Sequence, residues 1–147
     1  IHRAVDTSGY AEQKLLLEVA RHTDLFLYDL KALDPARHLD QTGVDNRAIL
    51  SNLESLSASG AEVIVRIPLV PGLNDDDPSI DCIGAYIAGL PRRHAVDLLP
   101  FHRAATGKYQ KLGLCYRGET TAPPEPARIA EIAKRLSGFG LSVNVGG

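Results

Sequence analysis

At 147 residues the chain is one ordinary domain in length, long enough to bury a core. Its 44% hydrophobic and 23% charged residues exclude disorder, and no apolar run approaches the roughly 20 residues that a bilayer span requires. A net charge of −2 removes the electrostatic case for nucleic acid or an anionic membrane as partner. Two cysteines and no signal peptide make the cytoplasm the expected compartment.

The chain opens on Ile1-His2-Arg3-Ala4-Val5-Asp6, without Met or polar slack, and reads as the middle of a longer protein. Residues 2–6 are the first predicted strand. A helix over 11–21 follows, with Leu15, Leu16, Val19 and Ala20 on one side. The apolar run at 25–30 predicts the second strand. A helix over 46–59 comes next, with Ile49, Leu50, Leu53 and Leu56 in register and Gly60 as its stop. A third strand is predicted over 62–70. Asp77-Pro78-Ser79 then opens a helix to about residue 90 with a capping Asp and a first-turn Pro, and Cys82 within it is expected to be buried. Residues 95–100 predict the fourth strand. The stretch 101–124 is long and irregular, as functional loops often are, and it holds Cys115. A last helix over 125–137 stops at Gly138, and a fifth strand is predicted over 141–145.

Continuously apolar strands alternating with helices predict a parallel sheet covered by helices. Such units fit part of a (β/α) TIM-like barrel, and a doubly wound open sheet is the competing architecture.

The polar residues cluster by position. In Leu25-Phe26-Leu27-Tyr28-Asp29-Leu30-Lys31, alternation puts Leu25, Leu27, Asp29 and Lys31 on one face. Asp6 ends its strand in the same way, Arg66 shares a face with Ile64, and His102 follows Leu98-Leu99-Pro100. All fall toward the C-terminal strand ends, where parallel α/β folds build ligand sites. Each has a plainer reading. Asp6-Thr7-Ser8-Gly9 alone is turn and cap chemistry, Asp29 and Lys31 could be a structural ion pair, and His102 could be an ordinary loop histidine. An unpaired Arg66 in a buried strand would be costly. Together they favour a site over coincidence. Asp75-Asp76-Asp77 reads as helix capping. The spacing of Cys82 and Cys115 is not that of metal ligands, and no Walker or Rossmann glycine loop is present.

In order along the chain stand Val5-Asp6-Thr7-Ser8-Gly9, Tyr28-Asp29-Leu30-Lys31, Val65-Arg66-Ile67-Pro68-Leu69-Val70-Pro71-Gly72-Leu73-Asn74-Asp75 and Leu98-Leu99-Pro100-Phe101-His102. This series resembles the pyruvate formate-lyase activating enzyme family, the glycyl-radical-enzyme activating enzymes of the radical S-adenosylmethionine superfamily. Gly107-Lys108-Tyr109, Leu112-Gly113 and the helix after Pro123-Pro124 are similar to it as well. The resemblance implies a single truncated barrel domain over 1–147: the last four βα units of a six-strand barrel plus a C-terminal strand.

It also implies a reaction. Such enzymes cleave S-adenosylmethionine at a [4Fe-4S] cluster with one electron, from a donor such as flavodoxin or ferredoxin. The 5′-deoxyadenosyl radical then takes a hydrogen from a backbone glycine of a partner glycyl-radical enzyme. By the same resemblance Asp29, Lys31 and His102 are S-adenosylmethionine contacts, and Asp6, Thr7 and Asp29 a monovalent-cation site. Arg66 would face either the cofactor or the incoming glycine loop. The family's C-x3-C-x2-C cluster motif and its Gly-Gly-Glu segment do not occur in this chain, and Ser8 stands where relatives often carry Asn. The chain alone is therefore expected to be inactive, with its cluster ligands elsewhere and its uncovered sheet prone to associate. The ending Val143-Asn144-Val145-Gly146-Gly147 is more similar to activases of dehydratases, decarboxylases and lyases. Two other readings stay open: an aldolase-like barrel using Lys31 as a Schiff-base amine, and a non-catalytic interaction module.

Overall fold

The computed structural model describes residues 1–102 and 121–146. Cys115 and the Gly107-Lys108-Tyr109 and Leu112-Gly113 motifs lie outside them.

Five strands form one sheet: β1 (Ala4–Thr7), β2 (Leu25–Asp29), β3 (Val63–Leu69), β4 (Ala95–Pro100) and β5 (Ser142–Val145). Every neighbouring pair is parallel. The spatial order is the sequence order, β1 to β5. A doubly wound sheet reverses its order at a switch point; here the order never reverses. Each strand adds to the same edge, as in the wall of a (β/α) barrel, and the partial barrel is the architecture observed.

The helices are α1 (Gln13–Ala20), α2 (Pro35–Thr42), α3 (Arg47–Ser59), α4 (Asp77–Ala88) and α5 (Pro126–Ser137). They cover one face of the sheet. On that face Phe26, Tyr28, Val63, Val65, Ile67, Leu69, Val96 and Leu98 are buried against Leu16, Ile49, Leu53, Ile80, Ile83, Ile132 and Leu136. The alternate residues Leu25, Leu27, Asp29, Ile64, Arg66 and Pro68 are only half-buried on the opposite face. The strict buried/half-buried alternation of β3 is therefore a two-environment strand. Among the described residues no helix covers the half-buried, partly apolar inner face, as expected from the sequence.

Sequence expectations fail at four places. Helix α2 was not anticipated, because its one buried residue is a histidine, His38, and it has no apolar stripe. Its punctuation is nonetheless visible: Asp34 Oδ1 accepts from Arg37 N at 2.7 Å, Pro35 follows, and Gly43 stops it at φ 79°. The stripe on α1 is misassigned, since Leu15 and Val19 are exposed and Leu16 is the buried residue. The main helix neighbour of α1 is α3, and Leu16 is the residue that it buries in the core. Cys82 is exposed rather than buried. Helix α4 buries Ile80, Ile83, Gly84 and Ile87, and a residue two positions from Ile80 points away from that stripe. The cap of α4 is Asp76, one residue earlier than expected, accepting from Ser79 N at 3.1 Å.

The loop ends above the sheet are fastened by side-chain amides. Gly9 sits at φ 72° with its Cα over the Tyr28 phenol, so a Cβ there would stand 1.7 Å from Tyr28 Oη. Asn52 Nδ2 on α3 donates to the carbonyls of Gly9 and Ala11, at 2.8 and 2.9 Å. Buried Asn74 accepts from Val70 N at 2.8 Å and donates to the carbonyls of Lys31 (2.9 Å) and Pro68 (2.7 Å). It ties the segment after β2 to the segment after β3.

Candidate functional site

Register brings the polar residues together. Asp6 is paired with Leu27 and Asp29 with Arg66, so β1, β2 and β3 present Asp6, Asp29 and Arg66 on the open inner face. Arg66 Nε donates to Asp29 Oδ1 at 2.8 Å, and Arg66 Nη1 donates to Asp6 Oδ2 at 2.9 Å. Arg66 Nη2 reaches Asp29 Oδ1 at 2.7 Å and also meets Asp6 Oδ1. One guanidinium thus bridges two carboxylates from two strands. Arg66 lies mid-strand in β3 rather than at its end, because β3 extends past β2.

The side chain of Arg66 is 15% exposed. Burial works against its charge, but the hydrogen bonds to Asp6 and Asp29 outweigh that, and its pKa moves upward. The costly unpaired arginine is therefore not what the fold contains. Nor is Asp29 partnered with Lys31: its partner is Arg66.

Thr7 Oγ1 accepts from Gly9 N at 2.9 Å, the turn chemistry its sequence suggested. Lys31 lies two residues past β2, half-buried, and lines a cleft of about 390 Å³ with Pro68, Val70 and Asn74. Gln41 and Thr42 of α2 and Leu73 complete the lining of that cleft. His102 lies two residues beyond β4 and is exposed, and the backbone before it is held by Phe101 N donating to Leu69 O at 2.9 Å.

The sequence reading missed the other half of this polar row. Asp97 on β4 is the cross-strand partner of Arg66, and Asn144 on β5 is the partner of Asp97. Asp97 is 8% exposed, and Asn144 Nδ2 donates to its Oδ1 at 3.2 Å. Asp29, Arg66, Asp97 and Asn144 therefore form one transverse row across four strands.

The donor sets answer differently for the groups the resemblance implies. Asp6 and Asp29 already converge on a single positive group, so a small cation fits their hard oxygens, whereas Thr7 alternates with Asp6 and pairs with Tyr28 on the helix-covered face. Lys31, Asp29 and His102 supply an ammonium, a carboxylate and an imidazole at or just past the C-terminal ends of β2 and β4, the chemistry that a zwitterionic amino-acid end and a ribose or adenine would need. An iron–sulfur cluster does not fit: among the described residues no group of three His, Cys, Asp or Glu could hold a metal, and Cys82 is on the outer surface of α4. Among the described residues no helix is long and apolar enough to cross a membrane.

Comparison with known proteins agrees with the fold. No family model matches the chain. It is 38% identical over 149 residues to the trans-4-hydroxy-L-proline dehydratase activating enzyme of Clostridioides difficile, covering 100% of this chain and 49% of that protein. It is 39% identical over 157 residues to the benzylsuccinate synthase activating enzyme of Thauera aromatica, covering 100% of this chain and 46% of the relative. The chain spans about half the length of these curated relatives. The crystal structure of a domain of the pyruvate-formate lyase-activating enzyme from Bacteroides vulgatus superposes with a TM-score of 0.84 at 30% identity, covering 100% of this chain and 82% of that one. With sequence and fold in agreement, the chain belongs to the family of glycyl-radical-enzyme activating enzymes.

Proposed function

We propose that this chain is the portion of a radical S-adenosylmethionine activase that holds the polar half of the cofactor pocket. The observation that carries the reading is the convergence of Asp6, Asp29 and Arg66 on the inner face. When bound at a [4Fe-4S] cluster and reduced by one electron, S-adenosylmethionine supplies a 5′-deoxyadenosyl radical able to abstract hydrogen from a glycine.

The residues here would do the binding. Lys31 would take the cofactor's carboxylate as a point charge, anchored by the Asn74 bond to its backbone carbonyl. Asp29 and His102 would accept and donate to the ribose and adenine. A monovalent cation held by the Asp6 and Asp29 carboxylates, with Thr7 able to add only its backbone oxygen, would offset carboxylate charge where the amino-acid end docks. Arg66 would keep these carboxylates parallel and apart until the cation or cofactor arrives. The half-exposed apolar residues Leu25, Leu27 and Ile64 would keep water from the reacting carbon once covered.

The cluster thiolates would come from sequence outside this chain, the electron from a flavodoxin or ferredoxin, and the hydrogen from a glycyl-radical enzyme as protein partner. The test has two parts. The reading frame upstream of Ile1 should encode C-x3-C-x2-C within about two βα units. The protein from that whole frame, reconstituted anaerobically with iron and sulfide, should raise a glycyl-radical signal in electron paramagnetic resonance on a glycyl-radical enzyme encoded beside it. A frame without the cysteines, or trapping of Lys31 by borohydride with a carbonyl substrate, would sink the proposal.

A further inference from the structure

The transverse row gives Arg66 two acidic neighbours, and the structure uses only one side. Asp29 on β2 and Asp97 on β4 flank Arg66 as its direct cross-strand partners on the same face. The guanidinium turns toward Asp29 because Asp6 adds a second carboxylate there. Asp97, nearly buried, is left with one donor among the described residues, the Asn144 amide at 3.2 Å. A carboxylate has about four acceptor positions, so a single long amide contact leaves most of them unused.

We propose that Asp97 is the second seat of Arg66, a positioning residue that receives the guanidinium when a monovalent cation takes Asp6 and Asp29. The argument rests on the cation reading above and extends it. A cation and the guanidinium compete for the same oxygens of Asp6 and Asp29, so cation entry must release Arg66. A released guanidinium at a half-buried site needs an anionic partner, or burial opposes its charge. Asp97 lies one strand away and supplies it. After the exchange three carboxylates hold two positive groups, and none of the cations is left unpaired. Asn144 sets the balance, since its amide competes with Arg66 for Asp97.

The experiment is sodium binding to the full chain followed by ²³Na nuclear magnetic resonance, with the Arg66 Nε–H resonance as a second readout. Sodium should shift the Arg66 resonance in the wild-type chain. Asp97→Asn should weaken sodium binding about fivefold, the scale of one partly exposed ion pair. Asn144→Ala should tighten it, a sign that general destabilisation would not produce. Arg66→Gln should also tighten binding by removing the competitor, and in that background Asp97→Asn should have no effect.

Equal weakening by Asp97→Asn with and without Arg66 would mean a plain charge effect and overturn the second seat while leaving the cation site intact. An Arg66 resonance unmoved by bound sodium would overturn it in the same way. No sodium binding by the wild-type chain, with folding verified by circular dichroism, would overturn the cation reading and the second seat together.

Discussion

Asp29 and Arg66 are direct cross-strand partners on β2 and β3, and Arg66 Nε donates to Asp29 Oδ1 at 2.8 Å. Both groups are mostly shielded from water, with side-chain exposures of 22% and 15%, whereas Asp6 on the far side is 64% exposed. The Asp29 contact should therefore carry most of the stabilisation. Arg66→Met and Asp29→Asn should each cost about 1–2 kcal/mol. In a double-mutant cycle by urea unfolding they should couple by at least about 0.5 kcal/mol, and Arg66 with Asp6 should couple by less. Additive Asp29 and Arg66 effects would contradict the geometry.

Gly9 and Gly43 separate backbone strain from close approach. Both have positive φ, at 72° and 79°, but only Gly9 faces a neighbour, the Tyr28 phenol, while nothing lies within 4 Å of a Cβ at Gly43. Gly43→Ala should cost about 1 kcal/mol, the left-handed penalty alone. Gly9→Ala should cost about 3 kcal/mol, because overpacking is added. It should also break the hydrogen bond from Tyr28 Oη to Ile49 O, now 2.7 Å. Thermal unfolding of the two variants checks the difference; equal costs would remove the close approach from the account.

Buried Asn74 satisfies three part-buried backbone groups and positions Lys31 by its carbonyl. Asn74→Ala should cost about 2–3 kcal/mol, since buried donors and acceptors are left without partners. Hydrogen exchange should quicken at the Val70 amide. An unchanged exchange rate there would mean that the loop is held by something else.

Asp76 and His94 are among the groups that give the stability an acid dependence. Asp76 caps α4, and its bonds from Ser79 and Arg37 hold its pKa down, to about 2. Its contribution is present above the usual carboxylate range and is lost as pH falls from about 4 toward 2. Because the side chain is 41% exposed, about 1 kcal/mol is the expected size, the ordinary worth of a cap. The cost of Asp76→Ala should therefore shrink between pH 5 and about 2. His94 is buried with Nε2 2.8 Å from Ser57 Oγ, and burial pushes its pKa down. Its protonation opposes folding, so stability should begin to fall as pH drops below about 6.5. His94→Gln should flatten that part of the curve. A variant curve parallel to wild type from pH 7 to 5 would contradict the assignment.

The parts of this molecule that the sequence made legible are those written in a single strand or helix. Runs rich in Val, Ile, Leu and Phe marked the strands, and alternation placed Asp29 with Leu25 and Leu27, and Arg66 with Ile64, on one face of β2 and β3. What stayed hidden depends on register between strands. Nothing local to Ala95-Val96-Asp97-Leu98 says that Asp97 stands beside Arg66, or that Asn144 stands beside Asp97. The parity of Asp97 with Ala95 was a usable clue. Helix α2 was hidden because its burial is carried by His38, whose ring Nδ1 lies 2.9 Å from Val44 O. The exposure of Cys82 depends on the phase of the stripe formed by Ile80, Ile83 and Ile87, which membership of a helix does not specify.

The most direct test of the central claim is S-adenosylmethionine cleavage by the protein from the whole reading frame that contains this chain, reconstituted anaerobically and reduced. The account predicts 5′-deoxyadenosine formation by the wild type. It predicts that Lys31→Ala raises the KM for S-adenosylmethionine at least about tenfold, an effect of roughly 1.4 kcal/mol on binding. No 5′-deoxyadenosine from a protein with its cluster intact, or an unchanged KM in Lys31→Ala, would contradict the assignment of this rim to the cofactor.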